Sequence, residues 1–212
     1  MNCWEKPTRL HLVRHGEVNE SYHEVFGGQI DMELSPNGHK QAKCLAKFLD
    51  GRNFNRIYCS PMLRVQQTAK PLLDVLGREA QMIDDLREID FGAWTGCKWH
   101  EIRDKFGADA EDWLLHLEND DVPQAEPMDS YRSRVQCILK QMIEEGLGED
   151  LLVLCHGGVI RMLLSLLLDE PFAKMGRFEV DYASLTLIEY RTNRVEIKLH
   201  NFAPWLWLRN NG

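Results

Sequence analysis

The chain has 212 residues, 33 of them acidic and 25 basic, for a formal net charge of -8. That length suits one α/β domain with a sizeable core, read here as a single unit over residues 1–212 with a cap-like insertion. The negative charge argues against nonspecific binding to nucleic acid, and no apolar run reaches the roughly eighteen residues that a membrane span needs. The opening stretch Met1 to Pro7 lacks the charged-then-apolar pattern of a secretory signal, so the expected location is the cytoplasm. The six cysteines have neither metal-finger nor disulfide-framework spacing and read as reduced thiols.

In chain order, Leu10, Leu12 and Val13 form a short apolar run typical of an interior strand, and Arg14-His15-Gly16-Glu17 stands at its end. A long loop from Glu17 to Glu33 follows, with the composition of a segment that wraps a site. Ser35-Pro36 opens a helix whose Ala42, Leu45, Ala46 and Leu49 recur at helical spacing. A second strand, Arg56 to Cys59, runs into Ser60-Pro61, which reads as an N-cap with proline at the first helical position and places Arg64 in the first turn. Pro71 is expected to bend or interrupt that helix. Asp84 to Gly92 is a loop or short strand carrying Glu88, and about 94–128 is the insertion, two short helices rich in aromatic and acidic residues. Asp129 opens another helix, ending at Gly146. Leu151 to Cys155 is a buried strand that delivers His156-Gly157-Gly158 to the start of an apolar helix. Two strands, Ser184 to Tyr190 and Val195 to Leu199, close the chain as a hairpin. The order predicts a three-layer α/β sandwich, its sheet mostly parallel with an antiparallel edge and helices on both faces.

Two histidines therefore sit at two strand-to-helix junctions, and ligands of open α/β sheets bind beyond the carboxyl ends of the strands. Arg14 and Arg64 join them there. Two guanidinium groups, two imidazoles and several helix N-termini on one rim describe a site for a compact, multiply charged anion such as a phosphoryl group.

These motifs resemble those of the histidine phosphatase superfamily, also called phosphoglycerate mutase-like, and within it the small bacterial phosphatases. The resemblance rests on Arg14-His15-Gly16-Glu17, Gly28 with Asp31, Leu34 to Gly38, Ser60-Pro61 with Arg64 and Thr68-Ala69, Glu88 with Gly92 and Trp94, and Cys155-His156-Gly157-Gly158. It runs from Leu10 to about Asn201. It implies a phosphohistidine intermediate on His15 and a proton donor at Glu88. The chemistry suits the residues. A neutral imidazole nitrogen attacks phosphorus in line and splits one hard step into two easier ones, while Arg14 and Arg64 match the phosphoryl oxygens with planar forks. His156, hydrogen-bonded to the same oxygens and favoured in its protonated form beside a dianion, completes the set with Gly157 at the helix N-terminus. Glu88 gives the leaving alcohol its proton and takes one back from water; Asp90 shares its face if the segment is extended, so spacing alone does not choose between them.

The chain departs from the family in one place. Where relatives often carry asparagine six residues after the nucleophile, this chain has Ser21, with Asn19 two positions earlier; either is expected to donate to the phosphoryl group. Cys155 reads as a small buried apolar residue. No cofactor and no metal is implied, since the arginines and a protonated histidine supply the charge a divalent cation would bring.

The expected substrate is a small phosphorylated metabolite. Among the family's phosphatases, those for α-ribazole 5'-phosphate and for phosphoserine are the nearest in pattern, and Trp94, Trp99 and Trp113 favour the former if they stack on its flat base. Hydrolysis is expected over mutase chemistry, because residues 99–130 hold ten acidic side chains against Arg103 and Lys105, a cap that would repel a second phosphate. Many relatives pair through edge strands, so a homodimer is compatible with the resemblance.

Overall fold

The computed structural model describes residues 6–211, with side chains through Trp207; Cys3 and the rest of the opening stretch lie outside them. Alternation along the central strands divides the core in two. In β4 (Asp150–Cys155), Leu151, Val153 and Cys155 face one way and Leu152 and Leu154 the other, as the period of two in a strand requires. The first set packs with α5 (Met128–Glu145) and α6 (Gly157–Leu168), and the second with α1 (Pro36–Leu49) and α2 (Leu63–Leu76). Strands buried on both faces read as continuous apolar runs, which is the pattern of β1 (Thr8–Arg14) and β4. Leu45 and Leu72 are wholly buried, so cutting either to alanine costs about 2–5 kcal/mol.

Among the described residues the sheet has the order β3-β2-β4-β1-β5-β6. The strands β2 (Arg56–Cys59), β4 and β1 run parallel, with the two-residue β3 (Gln81–Met82) beside β2. The strands β5 (Leu185–Arg191) and β6 (Arg194–Phe202) form the antiparallel edge against β1. This is the expected mixed sheet with helices on both faces.

The register places the site. Arg14 pairs with Cys155 across β1 and β4, so the next residue of each strand, His15 and His156, leaves the sheet beside the other. The amide of His15 donates to Cys155 O at 3.1 Å, and that of Ser60, at the end of β2, donates to Leu154 O at 2.9 Å. Three strand ends thus deliver His15, His156 and Ser60 to one point.

Local differences from the sequence reading have physical causes. The helix α2 begins at Leu63 with Met62 as its N-cap and no side-chain capping bond; Ser60 lies two residues earlier, its hydroxyl bonded to His156 Nε2 at 2.8 Å and accepting from Met62 N at 3.5 Å. Pro71 lies inside α2 without ending it. Around Glu88 the chain forms single turns at Asp84–Leu86 and Gly92–Trp94 rather than a strand. The inserted segment carries α3 (Trp99–Phe106) and α4 (Trp113–Glu118), which bury Ile102, Leu114 and Leu117 against the α6 face of the core. The short β3 and the terminal α7 (Pro204–Asn211) have no counterpart in the sequence reading.

Candidate active site

His15 is 6% exposed and lies at the floor of a cavity of about 200 Å³. Its Nδ1 lies 2.8 Å from Gly16 O, a carbonyl that can only accept, so Nδ1 carries the proton. The other nitrogen, Nε2, keeps its lone pair and accepts from Arg64 Nε at 3.2 Å. Burial, then Arg64 and Arg14, hold the His15 pKa well below the usual imidazole value. At neutral pH the ring is a neutral base whose one lone pair, on Nε2, is held by the Arg64 Nε–H that an incoming phosphoryl group must displace.

The Arg64 Nε–H is shared: it also donates to His156 Nδ1 at 3.2 Å. The remaining nitrogens of Arg64 donate to Ile30 O at 2.8 Å and Gly28 O at 2.9 Å, tying the wrapping loop to α2. With Nδ1 accepting, the His156 proton sits on Nε2 and is donated to Ser60 Oγ at 2.8 Å. The ring is fully buried beneath the cavity floor rather than lining it. Burial, followed by Arg64, His15 and Arg14, pushes its pKa well down. The protonated form expected from the sequence is therefore disfavoured by the protein's own groups, and a dianion on the floor would have to oppose them.

Arg14 lines the same cavity, its guanidinium 4.1 Å from the ring centroid of Tyr182 and its Nε buried without a hydrogen-bond partner. Glu88 lines the cavity as well. One carboxylate oxygen of Glu88 accepts from Gly158 N at 3.0 Å and the other from Ile89 N at 3.1 Å. The approach needs glycine at 158, because a Cβ there would fall 2.3 Å from the carboxylate. Asp90 is turned away; its Oδ1 accepts from Gly92 N at 2.9 Å. Structure thus separates two carboxylates that spacing did not.

Arg134 fixes the Glu88 segment. Its guanidinium donates to Asp85 O at 2.7 Å, Arg87 O at 2.8 Å and Glu88 O at 3.3 Å, and is clamped by both carboxylate oxygens of Glu126 at 2.6 and 2.8 Å. On the His15 side, Gly16 N donates to Thr68 Oγ1 at 2.9 Å, and that hydroxyl donates to Arg64 O at 2.7 Å. Glu17 braces the next segment by accepting from Ser35 Oγ at 2.6 Å and Asn37 Nδ2 at 2.9 Å.

Of the residues expected from the sequence, Arg14, His15, Arg64, Glu88 and Gly157 line one cavity, with His156 directly behind Arg64. Asn19 and Ser21 do not. Both are exposed, and Asn19 Oδ1 accepts from the amide of Ser21 at 3.1 Å and from its hydroxyl at 3.0 Å, the local cap of a short turn. Neither is placed to donate to an anion on the floor. The tryptophans divide similarly: Trp99 and Trp113 line the cavity, whereas Trp94 is 1% exposed and packs with Phe26, Phe106 and His116. None of the ten acidic residues of segment 99–130 lines the cavity, so the repulsion expected from that segment is corrected: its carboxylates face elsewhere. Arg161 and Tyr182 were missed. Arg161 lies in the apolar α6 run and Tyr182 in an unpatterned loop, and only folding brings them to the rim.

The thiol of Cys155, wholly buried, is pushed far above its ordinary pKa by desolvation and acts as core. Among the described residues, five cysteines are free, and no group of three or more His, Cys, Asp or Glu side chains is gathered closely enough to hold a metal ion.

Residues 10–203 match the model of the histidine phosphatase superfamily, branch 1. The chain belongs to that superfamily. It is 30% identical over 193 residues to phosphoserine phosphatase 1 of Hydrogenobacter thermophilus, covering 91% of this chain and 92% of that protein. To the adenosylcobalamin/alpha-ribazole phosphatase of Escherichia coli K12 it is 28% identical over 196 residues, covering 91% and 95%. The crystal structure of a phosphoserine phosphatase from Entamoeba histolytica superposes with a TM-score of 0.78 at 25% identity, covering 92% of this chain and 96% of that one.

Proposed function

We propose that this member of the superfamily is a phosphomonoester hydrolase that works through a phosphohistidine on His15. The observation that carries the reading is the tautomer: Gly16 O holds the Nδ1 proton, so Nε2 presents a lone pair into a cavity walled by guanidinium groups. In the first step Nε2 attacks phosphorus and the P–O bond to the alcohol breaks, while Arg14 and Arg64 neutralise the equatorial oxygens and Glu88 protonates the departing alkoxide. In the second, Glu88 takes a proton from water as its oxygen displaces His15, releasing inorganic phosphate. Relatives named for phosphoserine and for alpha-ribazole phosphate support a small phosphorylated metabolite as substrate. A cavity of about 200 Å³ favours a compact ester, since pockets for larger ligands run to roughly 300–1,000 Å³. Trp99 and Trp113 on the rim are the observation on the side of a flat-ringed ester such as α-ribazole 5'-phosphate.

The test is phosphate release from a panel of metabolite esters, with and without EDTA. Release that survives the chelator is expected, because the guanidinium groups do the electrostatic work. Interconversion of 3- and 2-phosphoglycerate outpacing phosphate release from every ester would replace hydrolase by mutase.

A further inference from the structure

Arg161 stands on α6, five residues after His156, and lines the cavity. Its guanidinium lies 5.7 Å from the ring centroid of Trp113, and its Nε is buried with no hydrogen-bond partner. Among the described residues it takes part in no salt bridge. Arg134, clamped between Glu126 and three carbonyls, shows how a buried guanidinium is ordinarily satisfied in this protein. Arg161 also sits against another cation. A methyl group added at Gly157 would lie 3.3 Å from Arg161 Nη1 and 3.5 Å from Arg14 Nε, so the two guanidinium groups flank one point on the wall. Burial and Arg14 lower the Arg161 pKa to about 10, which leaves it charged at neutral pH. Arg14 Nη1 donates to Val180 O at 2.5 Å, but the Nε of each guanidinium is buried without an acceptor, and two cations held side by side with unpaired donors gain from an anion that joins them.

The phosphoryl group to be transferred does not account for that anion. Its position is set by His15 Nε2, and the guanidinium bonded there and to His156 is that of Arg64, through Nε at 3.2 Å to each ring. Arg161 stands instead beside Arg14 at Gly157 and over the ring of Trp113 in the inserted segment. Resting on the hydrolase reading above, we propose that Arg161 is a specificity-determining residue that binds a carboxylate on the alcohol half of the substrate. A carboxylate is planar and matches the guanidinium fork with two parallel hydrogen bonds. It also adds little volume to an ester that must share about 200 Å³ with the transferred group. The substrate class is a short-chain phosphomonoester of a hydroxy or amino acid.

Two pairs of esters test this, each differing in the carboxylate: O-phosphoserine against O-phosphoethanolamine, and 3-phosphoglycerate against glycerol 3-phosphate. The wild-type protein is expected to favour the acid of each pair by about tenfold to a hundredfold in kcat/KM, the range of a charge-assisted hydrogen bond. Arg161→Met should collapse that ratio towards one, and Arg161→Lys should retain part of it. No preference in the wild type, an unchanged ratio in Arg161→Met, or an equal loss for both members of a pair would each overturn the assignment. Turnover of p-nitrophenyl phosphate with none of the four esters accepted would sink the carboxylate site and leave the hydrolase. Failure to release phosphate from any ester would remove both.

Discussion

The two ends of the cavity are built on different terms. At the floor, every polar atom of His15, His156 and Arg64 that has a recorded contact is spoken for within the fold: Gly16 O, Ser60 Oγ, Gly28 O and Ile30 O hold the three side chains in one arrangement. At the rim, the Nε atoms of Arg161 and Arg14 are buried without hydrogen-bond partners, in a cavity also lined by Trp99, Trp113 and Tyr182. A preorganised floor costs no reorganisation when charge develops on phosphorus. An unsatisfied rim gains most when the correct alcohol arrives. Chemistry is written into contacts the fold completes, and selectivity into contacts it leaves open.

The largest break in that contrast should come from the floor. Arg64→Met removes the donor shared by both histidines and two ties to the wrapping loop, and kcat/KM for every ester should fall by roughly 10²–10³, as when an oxyanion donor is lost. A loss confined to one substrate class would move Arg64 from the floor to the rim. Next in size is Arg134, a positioning residue that acts through Glu88. In Arg134→Met, alkyl esters should lose about tenfold to a hundredfold, while p-nitrophenyl phosphate, whose leaving group needs no proton, loses far less. Equal losses for both esters would mean that Arg134 merely stabilises the fold.

The protonation states offer a third handle. Burial lowers the pKa of His15, His156 and His11 in the folded protein. Such groups take up protons in the unfolded chain first, so stability should fall as pH drops below about 6.5 and keep falling until the folded values are reached, by about 1.4 kcal/mol per pH unit for each histidine. By the same sign, the acid limb of kcat/KM set by the nucleophile should lie below 6.5. A limb at or above 6.5, or a melting temperature flat from pH 7 to 5, would contradict the buried neutral rings. The smallest effect belongs to Ser21→Ala, which should change kcat/KM by less than about threefold, because Ser21 and Asn19 bond to each other away from the cavity; a loss matching that of Arg64→Met would put them back on the phosphoryl group.

What could be read from the sequence follows from how local each signal is. The apolar runs around Leu12 and Val153 have strand length, and His15 and His156 follow them directly, so the floor was legible before the fold was known. Arg64 was placed correctly in a first turn, though the residue taken for its cap, Ser60, serves His156 instead. Of the rim, the sequence pointed to Trp99 and Trp113 but not to Arg161 or Tyr182. Arg161 sits in the apolar stretch from Val159 to Leu168, where a lone arginine reads as an interruption, and its meaning depends on Trp113, distant in sequence. The charge count of segment 99–130 misled because composition carries no direction: the carboxylates are there, but they do not line the cavity. Spacing left Glu88 and Asp90 equivalent and only the family resemblance favoured Glu88; the amides of Gly158 and Gly92 supply the physical distinction.

The central claim is that the lone pair on His15 Nε2 takes the phosphoryl group. Rapid mixing with a ³²P-labelled ester that the protein hydrolyses, followed by an alkaline quench and peptide mapping, tests it directly. The account predicts a base-stable, acid-labile label on the peptide containing His15, formed before phosphate is released and absent from His15→Ala. Label on the His156 peptide instead, or sustained phosphate release by His15→Ala at the wild-type rate, would contradict it.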